Sequence, residues 1–267
     1  MIIDFSYDGE RLSEHGLIIA SVDGSSGSDT LEWASQLEFN TIQNKNSGIN
    51  YTTSAGYSEV YTPTFQVIKY SCLSGEPTYI SDTEYRYLSK WLNRKDNLDF
   101  SPISDNEEFN GYHFFGSFNV KPIVICADIV GLELTFQSNA PYGFGDVIKI
   151  EKTGTKFDIA CISDELGYQP IKTTVKLSDG GDLSITNTFT GEITMVKNCV
   201  KGEKIVFDSE NLIITSNVEH KRLYNDFNYV YPRLFTDYCN STNTIETSIS
   251  CAILVEYRPI RKVGVVV

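Results

Sequence analysis

At the midpoint of the chain an alternating strand pattern runs directly into a proline and glycine joint, Gly131-Leu-Glu-Leu-Thr-Phe-Gln-Ser-Asn-Ala-Pro-Tyr-Gly-Phe-Gly145. Leu132, Leu134 and Phe136 fall two apart, which makes one face of the strand apolar. Pro141, Gly143 and Gly145 then end the ladder, because proline brings no N–H and glycine no side chain to pack. This pattern predicts a boundary between two domains near residue 140. A chain of 267 residues has the length for two units of about 130 residues, each with a core of its own.

In the first half, Ile2, Phe5 and Tyr7 begin a strand, and Tyr7-Asp-Gly-Glu10 is a turn signal. The continuous apolar run Gly16-Leu-Ile-Ile-Ala-Ser-Val22 suits a second strand covered on both faces, paired with the first as a hairpin or its near relative. Residues 37–60 are polar, with Asn40, Asn44, Asn46, Gly48, Asn50 and Gly56, and have too few apolar positions for a helical stripe. They read as a long excursion or extended hairpin, and a segment that long inside a compact domain is usually functional or ordered by a partner. A helix is predicted near residues 82–95. Ser81-Asp-Thr-Glu84 has capping-box spacing, Tyr85, Leu88 and Leu92 form an apolar stripe beside Trp91, and Arg94 and Lys95 place positive charge at the C-terminal end.

The second half shows no helical stripe. Strand candidates recur at residues 147–150, 171–177, 183–187, 192–196, 204–207, 212–215 and 250–257, separated by turn signals such as Ser178-Asp-Gly-Gly-Asp182. Short strands at such intervals describe an antiparallel sandwich. The predicted fold is therefore mainly β: a β-sandwich with one α-helix over residues 1–140, then an antiparallel β-sandwich over residues 141–267.

Net charge is −13, and residues 1–140 carry −11 of it, from 19 acidic against 8 basic side chains. Stable nucleic-acid binding needs clustered cations that release phosphate counterions, and no basic run exceeds a pair such as Arg94-Lys95 or Lys221-Arg222. Stable nucleic-acid binding is not expected, whereas passage of DNA past an acidic wall is compatible with this charge. The six cysteines are scattered without a Cys-x-x-Cys pair and read as free thiols in a reducing cytoplasm. Met1-Ile-Ile-Asp-Phe-Ser-Tyr7 has no basic n-region and carries an acid at Asp4, so no secretory leader is expected. No apolar window approaches the length of a membrane span.

The search for chemistry returns no expected catalytic, cofactor or metal residue. His15, His113 and His220 lack any recognised ligand spacing, and His113 between Tyr112 and Phe114 reads as an outward or capped strand residue. There is no nucleophile elbow and no phosphate loop. Glu107 and Glu108 are adjacent, so on a strand they would point apart rather than converge on one bond. Asp179 and Asp182 lack the further oxygens of a calcium loop and read as a hairpin turn. Sugar-binding faces present aromatic platforms. Trp33 and Trp91 both fall in the first half, while Tyr224, Phe227, Tyr229, Tyr231 and Tyr238 supply a weaker set in the second.

Taken in order, these segments resemble the distal tail protein (Dit) family of long-tailed phages and prophages. The start Phe5-Ser-Tyr-Asp-Gly9 with Gly16-Leu-Ile-Ile-Ala-Ser-Val-Asp23, Trp91-Leu92 followed by Leu98-Asp-Phe100, and the midpoint joint are similar to its first half. Gly181-Asp-Leu-Ser-Ile-Thr-Asn187, Lys204-Ile-Val-Phe-Asp208, Tyr231-Pro-Arg-Leu234, Asn243-Thr-Ile245 and Val255-Glu-Tyr-Arg-Pro259 are similar to its C-terminal domain. The resemblance implies a ring-forming N-terminal β-sandwich, expected as a hexamer with DNA passing through its bore, and a galectin-like C-terminal β-sandwich. It implies a place at the virion tail tip after assembly in the host cytoplasm. The expected partners are further copies of the chain, the tail-tube protein, a tail-associated tip protein, and receptor-binding or side-fibre proteins, without membrane insertion. Residues 37–60 become a candidate belt or arm reaching a neighbour. The alternative reading is a host-glycan adhesin that uses the C-terminal sandwich; a hydrolase ranks third.

Overall fold

The computed structural model describes residues 2–20, 37–57, 60–71, 76–105, 110–218 and 223–262. Two compact units divide the chain: residues up to Phe144 together with the chain from Arg261 onward, and Gly145–Ile260.

The first unit is built on an antiparallel sheet from strands β1 (Ile2–Tyr7), β2 (Glu10–Arg11), β3 (Leu17–Ile19), β6 (Thr64–Ser71), β7 (Glu76–Thr78), β8 (Leu98–Ser104), β9 (Phe114–Ile125) and β10 (Asp128–Ser138). Their order is β2-β1-β8-β9-β10-β6-β3, with β7 on β6. The strands β4 (Leu37–Gln43) and β5 (Asn50–Tyr57) pair only with each other. The expected pairing of the first two long strands is corrected. Asp8 and Gly9, both at positive φ (54° and 83°), make a tight turn, but its return strand β2 is only two residues long. A 3₁₀ turn over Leu12–His15 then redirects the chain, and β3 pairs with β6 instead. As an edge strand β3 is also not covered on both faces, since Ile18 is exposed.

Helix α1 (Asp82–Leu92) begins at the predicted capping box: the Glu84 N–H donates to Ser81 Oγ at 3.3 Å, and the Ser81 N–H donates to Glu84 Oε2 at 2.9 Å. It buries Leu88, Trp91 and Leu92, and the Trp91 indole N–H donates to the Tyr7 carbonyl at 3.1 Å, so the ring's polar edge is satisfied inside the core. That core is aromatic. Phe100 has no exposed surface and lies 4.5 Å from Phe136 and 5.4 Å from both Phe5 and Phe118, centroid to centroid. Leu132, Leu134 and Phe136, the alternating residues of the midpoint strand, are fully buried here.

The β9–β10 hairpin turns on Cys126 and Ala127 at φ 51° and 71°. Two consecutive left-handed residues are the geometry that favours Asn-Gly, and an L side chain there costs about 1–2 kcal/mol. Ala127→Gly is expected to stabilise the first unit by about 0.5–1 kcal/mol, after the added freedom of the unfolded chain is subtracted. Urea unfolding would read this as a higher midpoint, and an unchanged or lower one would show that the turn carries no strain.

The two-residue β11 (Gly143–Phe144) ends the long segment of the first unit. In the second unit the strands are β12 (Ile148–Ala160), β13 (Gly167–Pro170), β14 (Lys172–Leu177), β15 (Gly181–Asn187), β16 (Glu192–Cys199), β17 (Lys204–Asp208), β18 (Ile213–Ser216), β19 (Arg233–Thr236) and β20 (Thr242–Tyr257), and β21 (Ile260–Arg261) starts at its last residue. The main sheet runs β16-β15-β20-β14-β17-β18 with β12 on β20. β20 organises it. β12 follows one edge along its whole length, while the other edge is shared by β15 at Ile245–Thr247 and β14 at Cys251–Glu256. The register shift at Gly154 marks the bend, and residues from both wings, among them Ile185, Val196, Val175 and Phe207, meet in one core.

Two expectations for this half are corrected. Asp179–Asp182 closes no hairpin: β14 and β15 do not pair but follow one another along the same edge of β20, so the turn carries the chain from one wing to the other. A single helical turn, α2 (Leu223–Asp226), is also present. It is too short to show a periodic stripe. Asn187 and Asn243 are both buried. Asn187 Nδ2 donates to Asn243 Oδ1 at 2.9 Å and to the Arg233 carbonyl at 3.1 Å, and Asn243 Nδ2 donates to the Phe235 carbonyl at 2.9 Å. This amide pair fastens β19 across β15 and β20, where a buried polar backbone would otherwise lack partners.

Candidate functional site

The hairpin β4–β5 stands apart from both cores. Its strands make their substantial contacts only with each other, and every side chain from Leu37 to Gly56 is exposed. The turn is held by Asn44: its N–H donates to the Ile49 carbonyl at 2.9 Å, its carbonyl accepts from the Gly48 N–H at 2.9 Å, and its Oδ1 accepts from the Asn46 N–H at 3.0 Å. Gly48 has φ 66° there. At the base, the Tyr57 ring meets Tyr142 edge-on at 5.8 Å.

The register places Leu37, Phe39, Ala55 and Tyr57 on one face near the base. A shift between Asn40 and Thr41 follows, and nearer the tip the cross-strand pair Ile42 and Tyr51 lies on the opposite face. Leu37, Phe39, Ile42, Ile49 and Tyr51 are between 52 % and 63 % exposed. An isolated two-stranded hairpin is at best marginally stable in water. One that also displays five large apolar side chains is built to be covered.

A second feature of the first unit is a cavity of about 380 Å³ beside α1, lined by His15, Leu17, Lys69, Ile80, Thr83, Glu84, Tyr87 and Leu88. Its wall is aromatic: the His15 ring lies 4.3 Å from Trp91 and 5.8 Å from Tyr87. His15 Nε2 is inaccessible to solvent and makes no hydrogen bond among the described residues; a Glu10 carboxylate oxygen approaches to 3.2 Å without hydrogen-bond alignment.

At the rim Lys69 pairs with Glu84. That hydrogen bond, together with the Ser81 N–H and hydroxyl, lowers the Glu84 carboxyl from 4.5 to about 2. A carboxyl with a depressed folded pKa contributes stability above its unfolded value, and this is lost as pH falls towards the folded value. The stability gap between the protein and Lys69→Met is therefore expected to be level above about pH 5 and to close towards pH 2, with a plateau of at most about 1 kcal/mol because both groups are partly solvated. Urea titrations across that range check it, and a gap that widens in acid refutes it.

Family models match nearly the whole chain: a phage tail protein N-terminal domain over residues 1–140 and a phage tail C-terminal domain over residues 142–257. The chain belongs to a family of phage tail proteins. Among solved structures, the Dit protein of phage SPP1 superposes with a TM-score of 0.68 at 11 % identity, covering 97 % of this chain and 99 % of that one. That protein is described as a paradigm of hub adsorption apparatus in phages infecting Gram-positive hosts. At this identity the likeness establishes the shared Dit fold. A search of curated proteins finds no match.

In this tail protein the residues weighed for chemistry are dispersed. His113 Nδ1 lies 2.9 Å from an Asp99 carboxylate oxygen, a capped strand residue. Asp179 pairs with Lys201, and Asp182 Oδ1 accepts the Asn198 N–H. His220, Glu107, Glu108, Trp33 and Cys72 lie outside the described residues. Among the described residues no group of three or more His, Cys, Asp or Glu could hold a metal, and no helix is long and apolar enough to cross a membrane. Of the aromatic set, Phe227 is buried, the Tyr231 hydroxyl donates to the Leu212 carbonyl at 2.6 Å, and Tyr224, Tyr229 and Tyr238 are exposed. The cavity beside α1 had no sequence signal, because its lining comes from three separate segments.

Proposed function

We propose that this chain is the structural hub of a phage tail tip, working through self-association rather than catalysis. Six copies form a ring through their first units, and the β4–β5 arm of each is covered by a neighbour. The ring joins the tail tube to the tip protein and to receptor-binding or side-fibre proteins, with DNA passing through its bore. It is assembled in the host cytoplasm and resides at the virion tail tip. The observation that carries this reading is the detached arm with its exposed apolar side chains, and family membership and the Dit fold support it. A hairpin of this length extends about 23 Å at 3.3 Å per residue, beyond the roughly 15 Å radius of gyration of a domain this size, so it can reach well across a neighbour.

The charge of −11 on residues 1–140 fits a bore that must not hold DNA. Carboxylates lining it would repel phosphates within about 8 Å at physiological salt. Native mass spectrometry of the full chain, followed by negative-stain imaging, tests the proposal: closed rings are expected, and a monomer at every concentration up to the solubility limit would refute it. The adhesin reading draws on exposed Tyr224, Tyr229 and Tyr238. A glycan array separates the two, since specific sugar binding would favour the adhesin.

A further inference from the structure

The arm and the cavity beside α1 both belong to the first unit, so every copy carries one projecting apolar element and one apolar recess. Such a pair of unlike surfaces makes a head-to-tail contact, the kind that closes into a ring when the rotation between copies permits. The arm is also suited to contact between like-charged copies. Residues 37–57 hold one acid, Glu38, and one base, Lys45, within a half that carries −11. An electrically neutral projection can enter another acidic copy without the repulsion that the rest of the surface would meet.

The chemistry of the recess fits the arm's tip. About 380 Å³ lies within the roughly 300–1,000 Å³ range of sites that enclose small organic groups. Leu17, Ile80 and Leu88 supply an apolar floor and Tyr87 an aromatic wall. The tip offers Ile42 and Tyr51 side by side on one face. A tyrosine entering a recess needs a partner for its hydroxyl, and the exposed Thr83 in the lining offers a hydroxyl.

We propose that the cavity bounded by His15, Leu17, Thr83 and Tyr87 is the acceptor for the Ile42–Tyr51 tip of the arm from a second copy of this chain. This rests on the ring reading above and assigns its contact. The Tyr51 ring lies against Tyr87 with its hydroxyl towards Thr83, and Ile42 sits over the floor formed by the buried Leu17 and Leu88.

The test uses the full chain with a photo-reactive benzoylphenylalanine replacing Tyr87, which keeps an aromatic ring at an exposed helix position. Chains labelled with heavy nitrogen are mixed with unlabelled ones, allowed to assemble, irradiated and digested. Cross-links from position 87 to a peptide within residues 37–57, joining a heavy chain to a light one, are expected. Thr83→Trp fills the recess from an exposed position and is expected to weaken assembly at least tenfold while far-ultraviolet circular dichroism stays native, whereas Thr83→Ser assembles as the parent does. Rings in which position 87 links to its own chain, to another segment or to nothing overturn the acceptor assignment alone. Absence of any ring overturns the assembly reading, and the acceptor with it.

Discussion

Phe39→Asp combined with Ile42→Asp is expected to turn an assembling protein into a folded monomer. The two side chains are 56 % and 63 % exposed, sit on opposite faces of the arm and touch neither core, so each unit should keep its stability to within about 0.5 kcal/mol. If a neighbour covers them, burial contributes about 1.5–3 kcal/mol for each. Losing both, at 1.4 kcal/mol per tenfold change, weakens association by about a hundred- to ten-thousand-fold. The introduced carboxylates add a further penalty, since a charge buried at a contact without a partner is costly. Sedimentation velocity across a concentration series measures the first quantity, and thermal unfolding of the separated monomer measures the second. Rings that persist in the double variant would show that the arm does not hold them together.

The legible parts of the fold were those with local periodicity. Leu132, Leu134 and Phe136 announce a buried strand face because strand side chains alternate, and all three are fully buried. Ser81 and Glu84 announce the helix start because the capping box is a contact between near neighbours. Pairing was not legible. The apolar run from Gly16 says strand without saying whose, and the chain resolves this through a 3₁₀ turn and a partner, β6, about fifty residues away. The Asp179–Asp182 turn misled for the same reason: a turn signal fixes where the chain bends, while the bend of β20 decides that the flanking strands run end to end.

For the candidate site, the excess of Asn and Gly over residues 37–60 marked an extended segment, but that composition hid what makes it an arm. The apolar residues Leu37, Phe39, Ile42, Ile49 and Tyr51 are too sparse to read as a stripe, and they gain meaning only once the register puts them on defined faces with nothing over them. The cavity was invisible for a different reason. His15, Lys69, Ile80 and Tyr87 share no spacing, and only the folded chain gathers them around one cavity.

Phe100→Ala should be the most damaging single change in the first unit, and it also links stability to assembly. The ring is fully buried and packs on Phe5, Phe65, Phe114, Phe118 and Phe136 at centroid distances of 4.5–6.3 Å. Truncation leaves a cavity that so many rigid rings cannot collapse into, at a cost of about 3–5 kcal/mol. That is a large part of the roughly 5–15 kcal/mol that holds a domain folded. Trp91 is buried in the first unit's core and residues 145–260 contain no tryptophan, so tryptophan fluorescence follows the first unit's unfolding separately from the second. Association with other copies stabilises only the folded form, by about 2.7 kcal/mol at a hundred times the dissociation constant. The unfolding midpoint of Phe100→Ala is therefore expected to climb with protein concentration, and adding the two arm aspartates should abolish the climb while leaving the dilute midpoint unchanged. Midpoints independent of concentration in both backgrounds would mean that the first unit does not draw stability from its neighbours.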